Sequence, residues 1–331
     1  MKYLVAIKEL MKKFYGKFEV YITPTLKFLL ALITLAVINA NLGYMSRLTS
    51  GAIVVIVALL CSFLPLNAII IFSALFILAH TFALSLECAA VVAVVFILML
   101  LLYFRFSPKD AVVVVLTPIC MALKIPYVMP LAMGLVGTPA SAVSVGCGVI
   151  VYYVLQYIAV NAETITSLGG ESDSILMVFA FLIDGLLANK AMLVCALAFA
   201  ACVVVVYVVR MLSIDYSWFF AMAAGALTNL IILFAGDLAW VTNVKVFGAF
   251  LGTIVSVIIC LGLQFFVFNV DYNRTENLQF EDDEYYYYVK AVPKVAVGIR
   301  DITAEQKAER ARNKLIRTSD EEDVKTYSRK K

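Results

Sequence analysis

The chain has 331 residues, is 63% hydrophobic and 15% charged, and carries a net charge of +3; its mean hydropathy is +0.97. Water-soluble domains run about 45–50% apolar and about 25% charged, so this composition excludes an ordinary soluble fold and implies one solvated by lipid. The small positive balance comes without a basic stripe interleaved with aromatics, which leaves nucleic-acid binding without support.

The expected fold class is all-α. It is a polytopic transmembrane helix bundle of about eight spans plus two short re-entrant or half-helix segments, with a small charged C-terminal tail. The expected divisions are an amphipathic N-terminal helix over 1–20, a transmembrane domain over 21–268 and a charged tail over 269–331.

Residues 1–20 place Leu4, Ile7, Leu10, Met11 and Phe14 on one helical face among lysines. That pattern suits a helix lying on an anionic membrane surface, or a solvated positive leader that only sets topology. The first span is read over Pro24–Gly43. Residues 49–86 would make a helix about 57 Å long at about 1.5 Å per residue, against a hydrocarbon core of about 30 Å. The block therefore reads as two spans turning at Pro65–Asn67. Cys88–Phe106 is the next span, closed by Arg105 and Lys109.

The stretch from Asp110 to Tyr153 organises the remainder. It is apolar throughout yet holds Pro118, Pro126, Pro130 and Pro139. Proline lacks an N–H and clashes with the preceding turn, so the stretch cannot be one straight helix. Asp110–Leu123 is short for a crossing, Lys124 and Pro126 interrupt it, and Val128–Thr138 is shorter still. A re-entrant pair of half-helices is expected, its freed backbone groups covered by protein or facing a water-filled cavity.

Ala140–Ile158 reads as a full span with a small-residue stripe of Ala140, Ser144 and Gly148. Residues 159–174 read as an acidic external loop. Ile175–Asn189 is a second short piece, followed by spans at Ala191–Met211, Ser217–Ala235 and Val244–Phe268. Gly236, Asp237, Thr242 and Asn243 read as a polar link between the last two. Gly248, Gly252 and Ser256 give the last span a second small-residue stripe. Either stripe is a candidate contact for a partner membrane subunit. A loose internal symmetry relates a unit opening at Asp110 to one opening at Asp173, as in transporters with broken-helix inverted repeats.

From Asn269 onward the chain holds 13 basic and 13 acidic residues. Tyr285–Tyr288 and the β-branched residues after them favour an extended segment. Thr303–Gln306 matches a capping box that would start a helix to about Thr318. The tail is a candidate site for a cytoplasmic partner. Residues 1–27 carry six lysines against Glu9 and Glu19. With Arg105 and Arg210, that balance puts both termini in the cytoplasm of a multi-pass cell-membrane protein.

Ionisable groups inside lipid cost about 2.5–3.5 kcal/mol on insertion scales and so invite a functional reading. The candidate pathway or polar-network residues are His80, Glu87, Lys124, Pro126, Asp184 and Lys190. His80 precedes Glu87 by seven residues, so both would share a helical face about 10 Å apart along the axis. A proton-coupled step through the two is weighed against Glu87 sitting at the interface and His80 bonding a neighbouring helix. Lys124 at the break would bind an anionic group or snorkel to the interface. Asp184 would pair with Lys190 or Lys124.

The seven cysteines lie in apolar runs with no CxxC or Cys/His cluster, so no metal and no cofactor is expected. Gly236-Asp237 gives half of a GxGD aspartyl-protease pattern, but Phe234 occupies the first glycine position. With no HExxH, GxSxG or P-loop either, no enzyme is expected. The expected role is a permease-like or channel-like protein whose pathway is lined by 110–139 and 175–190. The alternative is a non-transporting membrane subunit or scaffold of a secretion, envelope or differentiation complex.

Overall fold

A computed structural model describes residues 2–168, 175–240, 246–267 and 276–292. It divides into two units, Thr23–Val267 and the pair Met1–Ile22 with Phe268–Lys331. Among the described residues the helices are α1 (Lys2–Asn41), α2 (Gly51–Phe63), α3 (Leu66–Leu84), α4 (Leu86–Phe106), α5 (Ala111–Ala122), α6 (Val128–Val136), α7 (Ser141–Leu168), α8 (Ile175–Leu187), α9 (Lys190–Arg210), α10 (Ser217–Trp240) and α11 (Val246–Val267). Seven of them are long and apolar enough to cross a membrane, while α2, α5 and α8 are shorter apolar helices. This is an integral membrane protein. Leu59, Val94, Leu101, Ile231 and Ile254 are exposed along these helices, as side chains facing hydrocarbon must be.

Side-chain bonds fix the helix directions in the larger unit. Lys27 Nζ donates to Leu64 O at 3.0 Å and Ser62 Oγ to Pro24 O at 2.8 Å, while Asn39 Nδ2 donates to Leu48 O at 2.9 Å. Helices α1 and α2 are thus antiparallel. The Tyr103 hydroxyl lies 2.9 Å from both Asn67 Oδ1 and Pro108 O, which sets the start of α3 beside the end of α4. One end of the unit therefore gathers Lys27, Pro65, Asn67, Arg105 and Pro108; we call it the Arg105 end. Asn39, Met45 and His80 mark the other, the Asn39 end.

Helix α7 runs between two cores. Val154, Ile158 and Ile165 join a cluster built mainly from α1–α5 and α8. Val145 and Val149 join a second cluster with α6, α9, α10 and α11. Its small residues admit close neighbours: Ser144 Oγ bonds Ser107 Oγ at 2.6 Å, and a Cβ on Gly148 would lie 2.5 Å from Thr117 Cβ. Gly252 lies likewise against the Tyr127 ring, and Ser256 is buried. Ser144, Gly148 and Gly252 thus make helix contacts inside the chain, while Gly248 is exposed.

Several boundaries differ from expectation. Residues 159–168, expected in a loop, continue α7. Asn161 Nδ2 and Thr166 Oγ1 donate to carbonyls four residues back, so polar side chains sit on the helix without competing for its backbone. Gly236 and Asp237, expected in a link, lie within α10, and a Cβ on Gly236 would meet Val194 at 2.4 Å. That glycine serves close helix packing, not a turn. The unit opening near Asp173 has no counterpart of α6, since α8 leads through Ala188 and Asn189 directly into α9.

In the smaller unit, the residues expected to form an amphipathic helix belong to α1, whose helical geometry breaks at Phe18 (φ −115°, ψ 18°). Strands β1 (Glu276–Glu281) and β2 (Tyr286–Ala291) form an antiparallel hairpin; β2 is the extended segment expected from Tyr285–Tyr288 onward, and β1 is a partner strand that the sequence reading did not give it. Phe280 pairs with Tyr287 across it, with rings stacked at 5.0 Å. The Asp282 carboxylate closes the turn. Its Oδ1 accepts the Glu284 and Tyr285 N–H groups at 2.9 and 2.7 Å, and its Oδ2 the Tyr287 hydroxyl at 2.8 Å. The capping box at 303–306, its helix, and the segments 169–174 and 241–245 lie outside the described residues.

Candidate functional site

The proline-rich stretch breaks at Pro126, whereas Pro118 is carried inside α5 and Pro130 in the first turn of α6. Helix α5 ends at Ala122 and α6 begins at Val128, and between them Lys124 adopts φ 62°. A non-glycine side chain there is strained by about 1–2 kcal/mol. The Ile125 N–H still reaches Cys120 O at 2.9 Å, and Cys260 Sγ caps Val128 O at 3.8 Å.

The elbow is deep. Helix α5 starts beside Ser107, which is bonded to Ser144 near the start of α7. Helix α6 returns to the same end, where Thr138 N donates to Ser141 Oγ at 3.2 Å. Arg210, the last residue of α9, donates Nη1 to Leu135 O and Nη2 to Gly137 O, the second at 3.3 Å. Its guanidinium also lies over the Tyr207 ring at 5.0 Å. The elbow meanwhile faces Tyr152–Gln156 across a shared cavity, about 17–22 Å along α7 from Ser141. Both ends of the pair thus sit at the Arg105 end, with the elbow more than halfway across the helices.

The cavity has a volume of about 500 Å³. Its elbow wall is Lys124, Pro126 and Tyr127, and its α7 wall is Tyr152, Tyr153 and Gln156. Phe199 meets Tyr127 edge-on at 6.0 Å and bounds the cavity at mid-depth. From there it extends to the first turns of α9 and α11, at Ala191 and Gly248. It therefore reaches toward the Asn39 end and stops at the elbow. Tyr152 and Tyr153 meet edge-on at 5.5 Å.

Below Phe199 α10 carries one buried amide side chain, Asn229. Asn229 lies on the α10 stripe between Gly225, which packs on Leu131 and Cys202, and Leu233, which lines the cavity. Asn229 is 1% exposed, and neither its Nδ2 nor its Oδ1 has a partner among the described residues. A second void of about 70 Å³ lies among α1, α3, α4, α5 and α7. It is apolar, and its Thr34 and Ser73 hydroxyls already donate to carbonyls of their own helices. It has no free group to orient a solute.

The candidate residues separate into those at the cavity and those elsewhere. Lys124 and Pro126 line it. His80 is fully buried at the Asn39 end: its Nδ1 accepts the Met45 N–H at 3.1 Å and its Nε2 lies 2.7 Å from Asn39 Oδ1. An Nδ1 that accepts puts the proton on Nε2, which then donates to Asn39. Glu87 is not on the same helix. Helix α3 ends at Leu84, Ser85 is extended, and Glu87 opens α4 with its carboxylate on the Ser85 hydroxyl. The shared-face geometry expected for the two is therefore absent.

Asp184 is exposed on α8, which packs on α4 and α7, and no ion pair joins it to Lys190 or Lys124 among the described residues. The segment 175–190 thus does not line the cavity, which corrects that half of the expected pathway. Sequence reading missed Arg210 as the clamp on α6, the tyrosine wall and Asn229. The Tyr152-Tyr153 pair within an apolar run was the available signal. Comparison with protein-family models, curated proteins and solved structures finds no match.

Proposed function

We propose that this is a permease-like or channel-like protein of the cell membrane that moves a small solute through the cavity above the elbow. The observation that carries this reading is the cavity of about 500 Å³, lined by Lys124, three tyrosines and Gln156, that ends on a broken helix pair at mid-depth. Irregular backbone at such depth is tolerated where it lines a cavity or is covered by protein. In this reading α1–α4, α7 and α9–α11 make eight crossings, and α5–α6 re-enter from the Arg105 end. Helix α8 does not cross, since α7 ends and α9 begins at the Asn39 end. Lys27, Arg105, Lys109 and Arg210 share one end, against Arg47 and Lys190 with Glu87 and Glu163 at the other. That bias supports a cytoplasmic Arg105 end and cytoplasmic termini.

The test is solute flux into proteoliposomes holding the full chain. Flux of small polar or anionic solutes above empty liposomes, reduced by Gly252→Leu beside Tyr127, supports the reading. Liposomes no more permeable than controls across a panel of such solutes refute it. A second reading, a non-transporting subunit whose tail recruits a cytoplasmic partner, is favoured by one observation. The hairpin leaves Tyr285, Tyr286 and Tyr288 exposed. It predicts that deleting 276–292 abolishes assembly while leaving the helical unit folded.

A further inference from the structure

We propose that the cavity binds a small organic monoanion with a flat apolar body, and that the Lys124 ammonium is its charge partner. The inference rests on reading the cavity as a solute site and adds the class of solute. Three observations converge on it.

The first is sign. Lys124 is the one formally charged side chain among the described residues lining the cavity, and no carboxylate lines it. No bond to its ammonium occurs among the described residues. Lys124 is an exposed side chain, and an ammonium at the edge of an apolar cavity attracts an anion more strongly than one in bulk water. A single positive charge matches a monoanion better than a diphosphate.

The second is shape. Tyr127, Tyr152, Tyr153 and Phe199 supply flat apolar faces, held in two edge-on pairs, Tyr127 with Phe199 and Tyr152 with Tyr153. The tyrosine hydroxyls and the Gln156 amide are donors that can reach a carboxylate once its body lies against the rings. A volume of about 500 Å³ falls within the range of about 300–1,000 Å³ usual for small-molecule sites.

The third is backbone. Lysine stands at φ 62°, where glycine would fit without strain. Strain of this kind collects at ligand sites, where surrounding structure over-determines the conformation. Here Cys120, Met121 and Tyr127 hold the elbow through backbone bonds from Ile125, Lys124 and Leu131. The elbow thus fixes the Lys124 backbone against the cavity.

The backbone also supplies the test. Lys124→Gly removes the charge at a position whose conformation glycine prefers, so the variant folds at least as well as the parent. The full chain is placed in phosphatidylcholine nanodiscs, and binding of benzoate, benzamide and benzylamine is measured by saturation-transfer NMR. The expected result is a preference of about tenfold or more for benzoate over benzamide, the scale of one charge-assisted hydrogen bond. The preference is kept in Lys124→Arg and lost in Lys124→Gly at an unchanged melting temperature. Equal binding of benzoate and benzamide, tighter binding of benzylamine, or a preference that survives Lys124→Gly overturns the proposal.

Nanodiscs containing phosphatidylglycerol separate the two sources of such an anion. Competition with benzoate identifies a lipid head group as occupant, and its absence a free solute. Benzoate flux into proteoliposomes is measured alongside. Binding without flux leaves this site standing and ends the transport reading; flux unchanged by Lys124→Gly does the reverse.

Discussion

Removing the guanidinium of Arg210 tests how the broken pair is held. Helix α6 has only nine residues, too few to be stable alone, and its last carbonyls have no helical partner. Gly137 N takes Met133 O at 2.8 Å, while Arg210 takes Leu135 O and Gly137 O. A hydrogen bond to a charged group contributes about 1.5–3 kcal/mol. The stack on Tyr207 adds about 0.5–1 kcal/mol at a partly exposed site. Water replaces part of this once the side chain is gone, so Arg210→Ala should cost about 2–4 kcal/mol. Arg210→Lys keeps the charge but loses the fork and should cost about half as much.

The assay is denaturant unfolding of the purified chain in detergent, read with hydrogen exchange of 128–137. Exchange should rise there in Arg210→Ala while α9 and α10 stay protected. A variant within about 0.5 kcal/mol of the parent, with unchanged exchange over 128–137, would refute the clamp.

Three further outcomes follow from single positions. Asn229→Leu replaces a buried side chain whose polar atoms have no partner among the described residues, and should raise stability by about 1–3 kcal/mol in the same denaturant series; a loss of similar size would mean that Asn229 makes bonds. A Cβ at Gly225 would lie 2.1 Å from Val206 Cγ2, whereas nothing lies within 4 Å of one at Gly146. Gly225→Ala should therefore destabilise by about 1–3 kcal/mol, and Gly146→Ala should be neutral or stabilising by up to about 1 kcal/mol. In the hairpin, hydrogen bonds from Glu284 N, the Tyr287 hydroxyl and Tyr285 N hold the Asp282 carboxyl below its ordinary value of 3.8. Its folded pKa is depressed, so its contribution is present above the unfolded pKa and is lost as pH falls through the folded one. NMR of Glu284 and Tyr285 amides should show the turn loosening only below about pH 4, and Asp282→Asn should remove that dependence.

The breaks in this fold were legible because proline acts locally. Pro65 splits 49–86 between α2 and α3, and Pro126 separates α5 from α6, each through a missing N–H that no distant contact restores. Helix extensions were not legible in the same way. Asn161 and Thr166 look like loop residues, yet their side chains bond back to their own helix. Gly236 looks like a turn, yet it exists to admit Val194. Composition records the residue type and not the neighbour that makes it tolerable.

The cavity was half legible. Lys124 and Pro126 stood out on one segment, but the remaining walls come from α7, α9, α10 and α11, and only packing brings them together. His80 and Glu87 failed as a pair because Ser85 ends the helix between them, a one-residue break that periodicity alone does not reveal. Arg210 was read as a topology signal. Its contact with Leu135, 75 residues away, leaves no local trace.

The most direct test of the account is sided thiol labelling of the elbow in intact cells. Single cysteines are placed at Lys124, at Lys109 and at Thr138, in a chain whose native cysteines are replaced by alanine or serine. With a membrane-impermeant maleimide applied from outside, the account predicts labelling at position 124 alone. Positions 109 and 138 should label only after the cytoplasmic face is opened. Labelling of 109 and 138 from opposite faces, or of 124 only from the cytoplasm, would contradict it.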